Sequence, residues 1–452
     1  MGAISILCSR SSAPEPSPFF CHKGFALNDS GGRSHRSRTR QINTDANFTA
    51  RHFHRLFATL TSFKGFRMNN ILQCHEIVKT DFVKAENCYL YDKEGKQYVD
   101  FESGIWCTAL GHCHPRINKT IEAQIKKVVH LGTRYPHFTA QETAKDILDI
   151  VGIENGKCVF LSSGSEAVEF GVQIARRVTE KPLFLTFSNS YLAAYGSAGK
   201  KDADEWQLFD WSACEHDGQC DCLDKIPFEN IGGFVFEPGG SGSGFVKFPP
   251  KQLVKDITHR VKQQGGLLVV NEITTGIGRT GKWFGFQHYD IQPDIVAIGK
   301  GIGNGYPVSA VAVRRDIAEK IECSGFGYAQ SHQNDPLGCS IAKEVITIFK
   351  DEDLIEKGNT IGAFFLDGLK RIERKFDVVK DTRGRGLLLA LEFYPHAQIT
   401  ATWAYHALLA KGFLVGYYPN GNILRFDPAL TVDKKEIERL LACIESIIEA
   451  TG

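Results

Sequence analysis

The chain has 452 residues, more than one simple core needs and enough for two or three packed units. With 42% hydrophobic and 23% charged residues and a formal net charge of +1, it has the composition of an ordinary globular protein. No basic excess points to nucleic acid, and no apolar run nears the roughly 18 residues of a membrane span. Thirteen cysteines are scattered through long periodic segments and read as thiols in a reducing compartment. The cluster Cys214, His216, Cys220 and Cys222 matches no zinc spacing, so no metal is expected. Residues 1–67 stand apart, with ten Lys/Arg against three Asp/Glu, many serines and little periodicity. They read either as a transit leader or as an upstream extension with Met68 as the working start. The chain is therefore expected in the cytoplasm, or in the mitochondrial matrix if residues 1–67 are a transit peptide.

Beyond Met68 the first pattern is "CYLYDKEGKQYVDF", two β-prone runs around a turn, which predicts a hairpin. Short apolar runs then alternate with helical patterns. "KCVFLSS", "PLFLTF", "GGFVFEP", "GLLVVN", "DIVAIG" and "PVSAVAV" predict strands, and "KQLVKDITHRVKQQ" an amphipathic helix with Leu253, Ile257 and Val261 on one face. Such alternation means crossover connections and a mostly parallel sheet covered on both sides: an α/β fold. The C-terminal part is more mixed and closes on a helix after Asp433, where Glu436 stands at capping-box spacing. The predicted organisation is an N-terminal extension (1–67), a large domain (106–314) and a smaller α+β domain built from 68–105 and 315–452.

Two stretches carry chemistry. In "CVFLSSGSEAVEF" a strand runs into Ser163-Gly164-Ser165 and then a helix, whose free N–H groups and dipole favour an anion, phosphate above all. Lys300 follows "DIVAIG" among glycines, where a parallel sheet presents ligands and burial can make a lysine nucleophilic.

Together these residues resemble the class III, or ornithine/acetylornithine/GABA-type, aminotransferases, over nearly all of residues 75 to 450. The stretch "GRTGKWFGFQHYDIQPDIVAIGKGIGNGYPVSAV" is highly specific for that family. The resemblance implies fold type I of the pyridoxal-phosphate enzymes, pyridoxal 5′-phosphate as cofactor and Lys300 as its Schiff-base lysine. It places Ser163, Gly164 and Ser165 at the cofactor phosphate and Tyr191 on its ring. It adds Glu237 at the edge of the site and Ser331 as a contact reaching the neighbouring subunit's phosphate in a homodimer with shared active sites. Arg425 takes a substrate carboxylate, and Trp106 is placed on the substrate side as well. Asn271-Glu272-Ile273-Thr274 stands where the family has Asp-Glu-Val-Gln, so Asn271, Ile273 and Thr274 are further cofactor contacts. Asn271 thereby replaces the aspartate that pairs with the pyridine nitrogen. Tyr191 is followed by Leu192-Ala193 instead of His-Gly, and Gly242 replaces a glutamate that covers an arginine.

The implied function moves an amino group from an amino acid or amine to a 2-oxo acid, with neither nucleic acid nor membrane as partner. Because an amide cannot keep the ring nitrogen protonated, a racemase or epimerase, or a weakly active or non-catalytic cofactor-binding homologue, stands as the alternative.

Overall fold

A computed structural model describes residues 70–72, 74, 77–78, 80–212, 221–239, 245–395 and 398–451. The leader 1–67, Gly242, and Cys214, His216 and Cys220 lie outside the described residues. The chain divides at Lys79/Thr80, and Thr80–Gly452 is one compact unit. It is built around three sheets.

The hairpin expected at residues 88 to 101 forms β2 (Tyr89–Asp92) and β3 (Gln97–Asp100), antiparallel with Tyr89 opposite Val99. With β1 (Phe82–Glu86) and the distant β13 (Phe413–Leu414) they make a four-stranded sheet in the order β1-β2-β3-β13. All six predicted apolar strands form the central sheet: β4 (Lys157–Leu161), β5 (Leu183–Phe187), β7 (Ile231–Phe236), β8 (Leu267–Glu272), β9 (Ile295–Ile298) and β10 (Ser309–Val313). A seventh, β6 (Trp206–Phe209), closes one edge, giving the order β4-β10-β9-β8-β7-β5-β6. β7, β8, β9 and β10 are buried at every residue, as strands covered on both faces must be. The pairs from β9 to β6 are parallel, while β10 is antiparallel to both neighbours. β4, lying beyond β10, thus runs in the same direction as the parallel set. The third sheet, β11 (Val379–Arg385), β12 (Leu388–Phe393), β15 (Ile423–Phe426) and β14 (Gly416–Tyr418), is antiparallel.

This topology positions the site. The C-terminal ends of β4, β5, β7, β8 and β9 all open on one edge, where α/β sheets bind ligands. The chain reaches Ser163, Tyr191, Glu237, Ile273 and Lys300 within a few residues of leaving those strands. The helix Gly164–Thr179 lies across the sheet through Ala167, Val168, Gly171, Val172 and Ala175. Gly171 permits the close approach, since a Cβ there would stand 3.2 Å from Ile295 and 3.3 Å from Val269.

One local expectation fails. Asp433 precedes the helix Lys434–Glu449 but makes no side-chain cap bond. Glu436 is instead buried and engaged by Tyr89 Oη at 3.2 Å and by Arg439 of the same helix, so other partners take the carboxylate that a capping box needs. Among the described residues no helix is long and apolar enough to cross a membrane.

The helix Leu354–Lys375 crosses the turn at Gly386 so closely that a Cβ on Gly362 would overlap the Gly386 carbonyl. Gly386 has φ +56°, and its own added Cβ would lie 2.5 Å from the Gly281 nitrogen, so the turn cannot retreat. Gly362→Ala is expected to destabilise the protein by about 2–3 kcal/mol through overpacking, read as a lowered Tm in a thermal melt. An unchanged Tm would mean that the helix and turn do not meet as described.

Candidate active site

Lys300 follows β9 directly, with Gly299 extended and Lys300 itself at φ +50°. Its Nζ lies 4.3 Å from the Trp106 ring centre. Burial lowers its pKa from 10.5 to about 8, with Arg425 adding repulsion and Cys107 and Glu237 pulling the other way. About a tenth of the amine is then unprotonated at pH 7, far more than for a solvated lysine, and that is the form that attacks a carbonyl.

Trp106 carries a second cation. Arg425 Cζ stands 3.8 Å from the ring centre. Arg425 donates through Nε to Asp427 Oδ1 at 2.6 Å, through Nη1 to Tyr418 Oη, and through Nη2 to Glu102 Oε1 at 2.8 Å. Trp106 Nε1 is buried with no hydrogen-bond partner, and so is Thr108 Oγ1. An orphaned indole N–H on a ring that touches both an amine and a guanidinium is a donor waiting for an acceptor.

At the strand edge, Gly164 opens the helix Gly164–Thr179, and its first-turn N–H groups have no intrahelical acceptor. A Cβ on Gly164 would come 2.6 Å from Ile273 Cγ2, so only glycine fits this cradle. Ser163 Oγ accepts from Glu166 N at 3.2 Å and Ser165 Oγ from Ala194 N at 2.9 Å, each keeping its own O–H to donate.

Tyr191 is held by its main chain: its N–H donates to Glu237 Oε2 at 2.9 Å and its carbonyl accepts from Asn271 Nδ2 at 3.1 Å, leaving the ring about half exposed. Asn271 Oδ1 in turn accepts from Ile273 N at 3.1 Å. A carbonyl can only accept and an N–H only donate, so the amide orientation is fixed. Thr274, buried beside this group, donates to Glu237 Oε1 at 3.5 Å. Ser331 stands elsewhere, on an exposed turn whose neighbour Gln330 reaches Ser162 Oγ at 3.5 Å.

The structure thus gathers Lys300, Trp106 and Arg425 around one ring, and Tyr191, Glu237, Asn271, Ile273 and Thr274 around one strand edge. Sequence reasoning missed Glu102, Tyr418, Asp427 and Arg279. Asp427 had a signal, since it lies two residues beyond Arg425 on an extended segment and so shares its face. Glu102 had none, being separated from Arg425 by more than three hundred residues. Among the described residues, His130, His332 and Asp335 bring possible metal ligands within 4.8 Å. Asp335 bonds both imidazoles directly, His130 Nδ1 at 2.7 Å, which accounts for the cluster without an ion.

The class-III aminotransferase family model matches residues 73–195 and 213–448, and the chain belongs to that family. It is an enzyme that depends on pyridoxal 5′-phosphate and has fold type I. The chain is 29% identical over 394 residues to an acetylornithine aminotransferase of Aquifex aeolicus, covering 85% of this chain and all of that one. It is 26% identical over 403 residues to an alanine/serine racemase of Pyrococcus horikoshii, covering 80% and 84%. A Bacillus anthracis aminotransferase structure superposes with a TM-score of 0.77 at 25% identity, over 88% of this chain and 99% of that one.

The residues present fit the cofactor. A buried amine, a glycine cradle at a helix N-terminus and an orphaned donor together suit an aldehyde, a phosphate and a polar substrate group. Holding Lys300 in this setting also costs stability. Its folded pKa is depressed, so stability rises with pH between about 8 and 10.5, where only the unfolded chain keeps the proton. The cofactor-free Lys300→Met variant is therefore expected to gain about 2–3 kcal/mol at pH 7 over cofactor-free wild type. The gain should appear as a raised Tm that fades as the pH approaches 10; a Tm equal to that of wild type at pH 7 contradicts the depressed pKa.

Proposed function

We propose that the protein transfers an amino group between an amino acid or amine and a 2-oxo acid, with Asn271 in the place of a carboxylate at the cofactor's ring nitrogen. The observation that carries this reading is the buried Lys300 Nζ against Trp106, with Arg425 on the same ring. When bound, pyridoxal 5′-phosphate supplies the electron-withdrawing ring that lets the amino-bearing carbon lose its proton. The N–H groups of Gly164 and Ser165 hold its phosphate with the Ser163 hydroxyl beside them. Tyr191 and Ile273 line its ring, and Glu237 with Asn271 fixes the Tyr191 main chain. Thr274 belongs to the same wall through Glu237. Lys300 Nζ accepts the proton from the substrate carbon and returns it one position away, a transfer suited to an amine with a pKa near 8. Arg425 receives the substrate carboxylate, and Trp106 Nε1 donates to the same polar group. Ser331, exposed on its turn, contacts the phosphate in the neighbouring subunit of a homodimer.

A second reading is racemisation in the same site, in which the carbon that loses its proton to Lys300 Nζ is reprotonated on its opposite face. The neutral amide of Asn271 favours it, and so does the likeness to a racemase. Following both products from a panel of L- and D-amino acids and amines with a 2-oxo acid separates the two. Borohydride reduction of the loaded protein should fix a pyridoxyl group on the peptide containing Lys300; a label on another lysine overturns the assignment.

Asn271→Asp changes two things at once. It restores a negative charge at the ring nitrogen, equivalent to about 1–3 pKa units, and it removes the N–H that holds the Tyr191 carbonyl, at a cost of about 1–3 kcal/mol. The expected result is a rise in transamination of about tenfold or less, with racemisation falling in step. Both products should be assayed at matched cofactor saturation. A ratio of transamination to racemisation that does not rise means that Asn271 does not face the ring nitrogen.

A further inference from the structure

Arg425 does not present a bare guanidinium. Asp427 holds Nε, Tyr418 holds Nη1 and Glu102 holds Nη2. A carboxylate arriving at the Nη edge therefore meets a residue already in place. The two carboxylates differ in their freedom to leave. The Asp427 side chain is 0% exposed and Arg425 3%, whereas Glu102 is 28% exposed and has a path to water. The Glu102 main chain cannot follow: its N–H donates to Asp100 Oδ1 at 2.8 Å, and the Gly104 N–H donates to Asp100 Oδ2 at 3.1 Å. Only the side chain swings.

We propose that Glu102 is a specificity-determining residue that covers Arg425 in the resting site and yields to a substrate carboxylate. The inference rests on the reading of Arg425 as the carboxylate receptor. It names the substrate classes: 2-oxo acids and amino acids bind with Glu102 displaced, and amines lacking a carboxylate at that end bind with Glu102 in place. In both states the guanidinium faces the same number of carboxylates, so neither leaves a buried cation short of a partner. The ion pair is held loosely. Burial pushes the Glu102 carboxyl up to about 7 even with Arg425 beside it, and Asp427 and Asp100 repel it further. An incoming carboxylate competes with a weak occupant.

The test uses the full-length, cofactor-loaded protein and an unreactive carboxylate, propionate, with its Kd measured by calorimetry. Glu102→Gln removes the competing charge, and propionate is expected to bind about tenfold more tightly. Glu102→Asp keeps the charge but shortens the reach, so it should shift the Kd in the same direction; it also carries the test if the Gln variant melts early. In kinetics the ratio of kcat/KM for an amino acid to that for its decarboxylated amine should rise by a similar factor, through KM and not kcat. Unchanged propionate binding in both Glu102 variants, with binding weakened in Arg425→Lys, overturns the gate while Arg425 keeps its role. Propionate binding unaffected by Arg425→Lys instead removes the carboxylate-receptor reading, and the gate with it.

Discussion

Asp427 is the carboxylate on which the buried half of the site depends. It accepts from Arg425 Nε at 2.6 Å, and its charge also holds the protonated form of Arg279. Both arginines are almost wholly buried. Arg279 donates to the Leu387 carbonyl at 3.1 Å, to the Pro428 carbonyl and to Ser103 Oγ at 3.3 Å, and Ser103 Oγ donates to the Asp427 carbonyl. The carbonyl of Asp427 thus ties the end of β15 to the turn after β3, and Arg279, from the loop after β8, bonds to both segments under the Asp427 charge. Even so, burial lowers the Arg279 pKa to about 10, a measure of what desolvation takes from a guanidinium. Without Asp427 two buried cations would face each other, and breaking such a pair costs about 3–5 kcal/mol. The fold carries this expense at the place where it needs a positive charge.

From that anchor the backbone makes an unusual move. Ser103, Gly104, Ile105 and Trp106 have φ of +44°, +55°, +60° and +66°, a left-handed turn in which three residues are not glycine. Each such residue costs roughly 1–2 kcal/mol, and the cost is tolerated where surroundings over-determine the conformation. Here Asp100 holds the N–H groups of Glu102 and Gly104, while Ser103 is tied to Asp427. The result is a tryptophan with two cations against its ring. Lys300 and Arg425 both rest against its ring, and each such contact is worth about 0.5–2 kcal/mol when desolvated. The strain is thereby linked to function: it holds one ring against both the amine that needs a low pKa and the guanidinium that must stay charged.

How far the sequence discloses this arrangement depends on the range of the interaction. The central strands are legible because strands buried on both faces are continuous apolar runs, and Lys300 is legible because it ends one of them among glycines. β6 is not, since Trp206–Phe209 is a four-residue edge strand in which only Trp206 is buried. The helix of residues 434–449 is legible by period, but its cap is not, because Tyr89 claims Glu436 from the other end of the chain. Arg425 is visible by resemblance, yet its partner Glu102 follows β3 and meets it only through the tertiary fold. Local pattern reports what a residue's neighbours in sequence impose; the ion pairs here are imposed by neighbours in space.

The same distinction bears on the adjacent pair Asn271-Glu272. Successive residues of a strand point to opposite faces. Asn271 faces Tyr191 and Ile273, whereas Glu272, wholly buried, accepts from Thr275 Oγ1 at 2.7 Å, Gly285 N at 2.8 Å and Phe286 N at 2.7 Å. Burial pushes its carboxyl up to about 7, so bringing it across as a substitute negative charge would start from a group that resists ionising. The move would also strip two buried backbone N–H groups of their acceptor, at about 1–3 kcal/mol each. Glu272 therefore remains a pin for the glycine-rich loop, and on the opposite face β8 itself contributes only the neutral amide of Asn271. The amide is matched on both its atoms, to a carbonyl that only accepts and an N–H that only donates, which a carboxylate cannot be. Asparagine at this position is thus built into its surroundings, and the carboxylate beside Tyr191 comes from Glu237 after β7, not from the end of β8.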